Sequence, residues 1–453
     1  MHTTITFWGG LHTIGGNIAE IAYGNNRVIF DFGLVYNPES SIINTADHRK
    51  QTYVMDLLKL KAIPAIDGIY SKESIGGPFY STEKPIPAED SSYKTSIFIS
   101  HLHLDHMGAI DTISPAIPVY MTENSKQLYQ KLEKVGEGLP LKREVCGLSF
   151  GEAVQIGNIS VTPFPVDHDI IGAASYLIET PDLRVLYSGD LRLHGAHSEY
   201  IEEWLHKMKL QAIDILLMEG TSFRPESVES GFSLCKREGD ITEVAKEILH
   251  ETAGLALFNI YHRNTDRIRS FLAAAKSANR IPVLEVETAY IADEFLDEPN
   301  FMVYIEDPQA IPSLAKKLLK KHVGISPTII NKKPNSYLLQ NSYHHISRLL
   351  DLNLMDSVYL HSNGMPLGTF DPAFQTMHSV LKHFGVVYRS LDVSGHASTE
   401  AILYMIDQIK PRLLIPWHSH YPELLKPLDE NQAVFYPELK VDYIYRDGKL
   451  AQR

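Results

Sequence analysis

From residue 3 to residue 31 apolar and polar positions alternate in three short runs, 3–8, 17–23 and 27–31, punctuated by Gly9-Gly10 and Gly15-Gly16. Period-two runs bounded by glycine predict short strands. No helical pattern follows either glycine pair, so neither opens a dinucleotide site. Helical spacing appears over 45–61 (Tyr53, Met55, Leu57, Leu58, Leu60) and gives way to a Pro/Gly/Ser-rich stretch through Gly76-Gly77-Pro78 and Pro85-Ile86-Pro87. Residues 95–100 form the next apolar strand, followed by a strand at 118–121 and a helix at 123–135 with Thr122 as its N-cap. Strand patterns return at 153–156, 159–163, 184–188 and 211–218. From Phe223 the pattern changes. Helices at 241–249, 266–276 and 312–321 alternate with strands at 255–260, 281–286 and 357–361, which predicts a separate α/β module. A strand at 386–391, a helix at 399–409 and a strand at 412–416 follow.

Length and composition fit a cored globular protein: 453 residues, 44% hydrophobic and 21% charged, enough for two or three domains. No apolar run is long enough to span a bilayer, and the N-terminus lacks the basic start and apolar core of a signal peptide. The two cysteines, Cys146 and Cys235, lie far apart, so neither a disulfide framework nor a thiolate metal site is expected. A cytoplasmic protein without a membrane partner is the expectation. The net charge of −13 argues against coating nucleic acid by charge alone. It leaves a nuclease open, because bound divalent cations offset local acidity. Residues 223–385 hold nearly equal numbers of basic and acidic side chains; the pairs Lys316-Lys317 and Lys320-Lys321 read as a solvated helix face.

The chemistry concentrates at strand exits. His101-Leu102-His103-Leu104-Asp105-His106 ends the strand at 95–100. Alternate side chains of an extended segment face one way, so His101, His103 and Asp105 would converge, and a turn would carry His106 to a second centre. Further exits carry Asp167-His168, Gly189-Asp190, Glu219 and Trp417-His418-Ser419-His420. Imidazole nitrogen and carboxylate oxygen suit zinc, manganese or iron. His101, His103 and His168 can hold one cation, and Asp105, His106 and His418 a second, with Asp190 between them. Seven ligands at strand ends point to a dinuclear metallohydrolase. Asp31, at the end of an apolar strand, reads as a turn former.

The pattern H-x-H-x-D-H resembles the signature of the metallo-β-lactamase fold in its two-metal hydrolase form. Glu219-Gly220-Thr221-Ser222, Ser394-Gly395-His396-Ala397 and Ile415-Pro416-Trp417-His418 resemble three motifs of the β-CASP nucleases within that fold. Likeness to the ribonuclease J group extends from Gly9 to about Tyr421. The resemblance implies an αββα sandwich, α/β in class, formed by 1–222 and completed by 386–453, with 223–385 as an inserted α/β β-CASP domain. It implies a metal-dependent ribonuclease, exo- or endonucleolytic, acting on single-stranded RNA. A hydroxide bridging two divalent cations, zinc first and manganese as the alternative, would attack phosphorus in line. Asp105 and Asp190 would serve catalysis, and His396 would contact the scissile phosphate or leaving oxygen. Glu219 would orient a neighbouring histidine, and Asp31, equally readable as a turn former, would support the metal site. Ser394, Asn264 and Arg267 would join His396 in binding substrate, in a groove beside the insert.

Three features depart from the pattern. The chain stops at Arg453, without room for the bacterial C-terminal dimerisation domain. The last motif reads His418-Ser419-His420-Tyr421-Pro422 where the group has His-Gly-Glu-Tyr-Arg; His420 is expected to diverge from His418. The segment 36–94 is longer than the fold requires, as a lid or a surface excursion. Two other classes share the features. A hydrolase of a small ester, lactone or phosphodiester would keep all seven ligands, and a silent nucleic-acid-binding scaffold would keep the fold but not need the ligands.

Overall fold

The computed structural model describes residues 2–35, 49–78, 84–225, 233–446 and 448–453. The chain is α/β and divides into two compact units. One comprises Met1–Leu193, His197–Val228 and Gly395–Arg453; the other comprises His194–Ala196 and Glu229–Ser394.

The first unit is built on two sheets. The eight-stranded sheet runs in the order Lys449–Gln452, Asp442–Arg446, Thr4–Phe7, Ala19–Tyr23, Asn26–Phe30, Lys94–Phe98, Val119–Thr122, Cys146–Leu148. The seven-stranded sheet runs Ala433–Val434, Leu413–Trp417, Ile215–Glu219, Arg184–Tyr187, Ala174–Glu179, Ile159–Pro165, Val154–Ile156. Strand alternation sorts their side chains. Ile5, Phe7, Val28, Phe30 and Phe98 from the first sheet share a core with Tyr176, Val185, Tyr187, Ile215, Leu217 and Trp417 from the second. Leu186, Leu216 and Leu414, one residue out of phase, pack with the helices Ser198–Lys209 and Thr399–Ile409 through Trp204, Met208, Ile402 and Met405. Helix Glu123–Lys134 lies on Val119–Thr122 and Cys146–Leu148 of the other sheet, giving the layer order αββα. Its N-cap is Thr122, whose hydroxyl accepts from Ser125 N. Each fully buried Leu, Ile or Phe here contributes about 1.5–3 kcal/mol.

Parallel pairing decides where the chemistry emerges. Arg184–Tyr187, Ile215–Glu219 and Leu413–Trp417 are mutually parallel, so Asp190, Glu219 and His418 leave at one edge. Asn26–Phe30 and Lys94–Phe98 are parallel too, and lead to Asp31 and to Ser100-His101.

The second unit holds a seven-stranded sheet, parallel throughout: Val323–Ile325, Met302–Tyr304, Ile281–Leu284, Tyr337–Gln340, Ala256–Ile260, Val358–Ser362, Val387–Ser390. Helix Thr265–Ser277 packs on it; Pro372–His383 contributes Met377 and Leu381 to its core.

Several elements differ from the sequence expectation. The strand Ala174–Glu179 and the helices Ser198–Lys209, Val286–Phe295 and Pro372–His383 were not expected. Strands of three or four residues, such as Met302–Tyr304 and Val323–Ile325, are too short to show a period. The helix expected over 45–61 is Tyr53–Lys59; positions 45–48 lie outside the described residues. So do 36–44 and 79–83 of the long segment before the metal loop.

Candidate metal centre

Ser100 and His101 follow the strand Lys94–Phe98, and His103 has extended backbone, with φ −74° and ψ 147°. A short helix, Leu104–Met107, begins directly after it. His101 and His103 pair in the bend between strand and helix, their facing nitrogens 3.1 Å apart. Asp105 and His106 project from the helix into a second group, in line with their assignment with His418 to a second cation; only the convergence of Asp105 with His101 and His103 through strand alternation is not seen. Backbone bonds hold that helix, from Phe32 N to His106 O at 2.7 Å and from Leu34 N to Leu104 O at 3.0 Å.

In the first group the Nδ1 of His103 lies 3.1 Å from His101 Nε2 and 3.2 Å from His168 Nε2. Ser100 Oγ is 3.0 Å from His101 Nδ1. His168 donates from Nδ1 to Gly395 O at 2.6 Å, which leaves the lone pair on Nε2. Burial holds all three imidazoles below the usual range, His168 down to about 3, so they stand neutral as ligands must.

The second group joins Asp105, His106, Asp190 and His418, with ligand atoms within 4.8 Å of one another. Asp190 Oδ2 is 3.1 Å from His106 Nε2, and its Oδ1 is 3.2 Å from His418 Nδ1. The same Oδ2 is 3.7 Å from His101 Nε2, so this carboxylate stands between the groups. Its placement needs the glycine before it. Gly189 has φ +60°, and a Cβ there would fall 2.5 Å from Ala174 O. His106 donates from Nδ1 to Asp31 Oδ2 at 2.8 Å; Asp31 also accepts from Ser100 N and from the Tyr187 hydroxyl. Asp31 thus supports the site rather than merely ending a strand. Asn17, which sequence reasoning passed over, places Nδ2 2.8 Å from His418 Nδ1 and 3.1 Å from His106 Nε2. A lone asparagine before a strand carried no signal of that.

The groups fit divalent cations. Burial would raise the carboxyls of Asp105 and Asp190, but the facing His106 and His418 hold both below the usual range. Both oxygens of Asp190, and Nε2 of His418, are buried without a hydrogen-bond partner. Unpaired buried acceptors are costly, and nitrogen and oxygen donors converging in this way are what a divalent cation satisfies.

His396 stands beside the second group, its Nδ1 3.4 Å from Glu219 Oε1 and 3.7 Å from Asp190 Oδ2. Burial pushes this imidazole down, but Glu219 and then Asp190 outweigh it and hold it at about 9. Glu219 is therefore beside the histidine it was expected to orient. If protonated His396 serves the reaction, activity falls as pH rises through its pKa. Glu219→Gln should lower that pKa and move the alkaline limb of kcat downward by about 1 pH unit or more, measured in a pH–rate profile; an unmoved limb counts against the pairing.

The remaining sequence candidates belong to neither ligand group. His418 has φ +50°, a left-handed turn, and His420 beyond it is exposed and outside both ligand groups. Ser394 is exposed and belongs to the second unit. Asn264 and Arg267, expected to bind substrate, both have structural partners in the second unit. Asn264 caps helix Thr265–Ser277, its Oδ1 accepting from Arg267 N at 2.9 Å. Arg267 is 1% exposed. It donates to both carboxylate oxygens of Glu238, to Ser362 Oγ and to Asn363 Oδ1, so its guanidinium holds the second unit together. Arg267→Met should destabilise that unit by about 3–5 kcal/mol, because buried Glu238 loses the guanidinium that donates to both its oxygens. Denaturant unfolding measures this, and the double variant with Glu238→Met should recover most of the loss.

Comparison with known proteins agrees with this geometry. The family model described as a beta-lactamase superfamily domain matches residues 71–257. Ribonuclease J from Pyrococcus abyssi is 22% identical over 98% of this chain and 96% of its own length. Ribonuclease J from Mycoplasma genitalium is 23% identical over 92% of this chain and 68% of its own length. For ribonuclease J from Helicobacter pylori the figures are 23%, 98% and 59%, so the chain spans less of these bacterial relatives. A crystal structure of a protein of unknown function from Enterococcus faecalis superposes with a TM-score of 0.82 at 29% identity, over 98% of this chain and 100% of that one. Residues 71–257 thus match the beta-lactamase superfamily domain, and nearly the whole chain is similar to ribonuclease J.

Proposed function

We propose that this protein is a metal-dependent ribonuclease that cleaves phosphodiester bonds of single-stranded RNA, with residues 223–385 as its β-CASP insert and the cytoplasm as its location. The observation that carries the reading is the pair of buried ligand groups with Asp190 between them. His101, His103 and His168 would hold one cation, and Asp105, His106 and His418 the other, zinc first and manganese as the alternative. Such a pair supplies water activation at neutral pH and charge neutralisation at the phosphate. The residues supply the rest. Gly395 O fixes the tautomer of His168 with its lone pair inward. In His106 the facing Asp190, Asp105 and Asp31 hold the ring protonated against burial, and Asp31 on Nδ1 would leave Nε2 to a cation that displaces the other proton. Protonated His396, kept charged by Glu219, would meet a phosphate oxygen or give its proton to the leaving oxygen.

The test is incubation of metal-loaded protein with 5′-labelled single-stranded RNA, single-stranded DNA and a small chromogenic phosphodiester. RNA cleavage that weakens steeply with salt is expected, as phosphate contacts require. Salt-insensitive hydrolysis of the small substrate with intact RNA would overturn the reading.

A further inference from the structure

Asp169 follows His168 directly and has no part in either ligand group. Its neighbour Asp167 is already engaged: Oδ1 faces Arg192 Nε at 3.3 Å, and Oδ2 accepts from His197 N at 2.8 Å. Asp169 has no such anchor. Its Oδ1 is buried, without a bond of good geometry, 3.3 Å from His103 Nε2 and 3.4 Å from His168 Nε2. A carboxylate left so close to a ligand cluster has a local reason, and the backbone makes room for it. A Cβ on Gly395 would fall 2.9 Å from both Cγ and Oδ1 of Asp169, so only glycine leaves that space.

The direction of approach separates two roles. His103 turns Nδ1 toward His101 and His168, and its Nε2 away from them toward Asp169. The other ligand imidazoles of this loop have partners on their outward nitrogens, Ser100 Oγ for His101 and Asp31 for His106. We propose that Asp169 is the corresponding positioning residue for His103, accepting Nε2–H and so keeping the lone pair on Nδ1. The proposal rests on the metal-centre reading above and names a residue that sets the affinity of one centre. Carboxylate–imidazole–metal relays of this kind change metal affinity by about 10–100-fold when broken.

The experiment is chelator-competition titration of the full chain with zinc and with manganese, for wild type, Asp169→Asn, Asp169→Ala and Asp169→Glu. Elemental stoichiometry at saturation and 15N shifts of the His103 ring are measured alongside. The expected result is two cations at saturation in every variant. One centre should weaken 10–100-fold in Asp169→Ala, less in Asp169→Asn, and recover in part in Asp169→Glu. The His103 ring in the metal-free alanine variant should shift toward a mixture of tautomers. Unchanged affinity with an unchanged tautomer would overturn the proposal. So would loss of a cation at saturating metal, since Asp169 would then be a ligand itself. Wild type that binds neither metal would instead remove the metal-centre reading, so the two failures are distinguishable. A melting curve for each variant identifies any that does not fold, and the remaining variants still decide.

Discussion

Asp190→Ala should release one cation and lower turnover by about 10³-fold or more, in keeping with the loss of a preorganised charge at a reacting centre. Asp190 faces His106, His418 and His101 at 3.1, 3.2 and 3.7 Å, so no single neighbour can take over its place between the groups. Removing it also leaves His106 and His418 facing a buried space with one carboxylate fewer to balance bound cations. Elemental analysis of protein purified without chelator measures the first effect, and single-turnover cleavage the second. Normal metal content with full hydrolysis would sink the assignment. Asp190→Asn keeps the shape and loses the charge. It should bind metal better than the alanine variant yet remain slow, which separates the role of charge from that of packing.

His396→Ala should do the reverse: keep both cations and lose about 10²–10³-fold in kcat. His396 belongs to neither ligand group, but it stands 3.7 Å from Asp190 and is held protonated by Glu219. A cationic donor at that place acts on charge that develops in the transition state, so kcat should fall more than KM rises. His420→Ala is the internal control. His420 is exposed past the turn at His418, and its removal should leave both metals and most of the activity. A cation lost from the His396 variant, or lost from the His420 variant as severely as from His418→Ala, would reverse the division of roles.

Much of the site was legible before the fold. Ligand-type side chains at strand exits are conspicuous because packing gives no reason for them there, and the seven candidates do converge as two groups. The helix at Glu123–Lys134 and its Thr122 cap were equally readable, since both follow from local spacing and local hydrogen bonding. What the sequence by itself determined is the chemistry available at each strand end and the change of pattern after Phe223. Tertiary structure decided how each side chain reaches its group. The helix starting at Leu104, rather than strand alternation, sends Asp105 and His106 to the second group. Arg267, placed by resemblance on a substrate channel, is buried against Glu238 from 29 residues earlier in the chain. Asn17 and Asp169 gave no sign of their positions, because their neighbours, His418 at 401 residues and His103 at 66, are brought together only when the strands pair. Local propensity reaches a few residues along the chain; partners hundreds of residues apart are chosen by sheet register and by the layers that bury it.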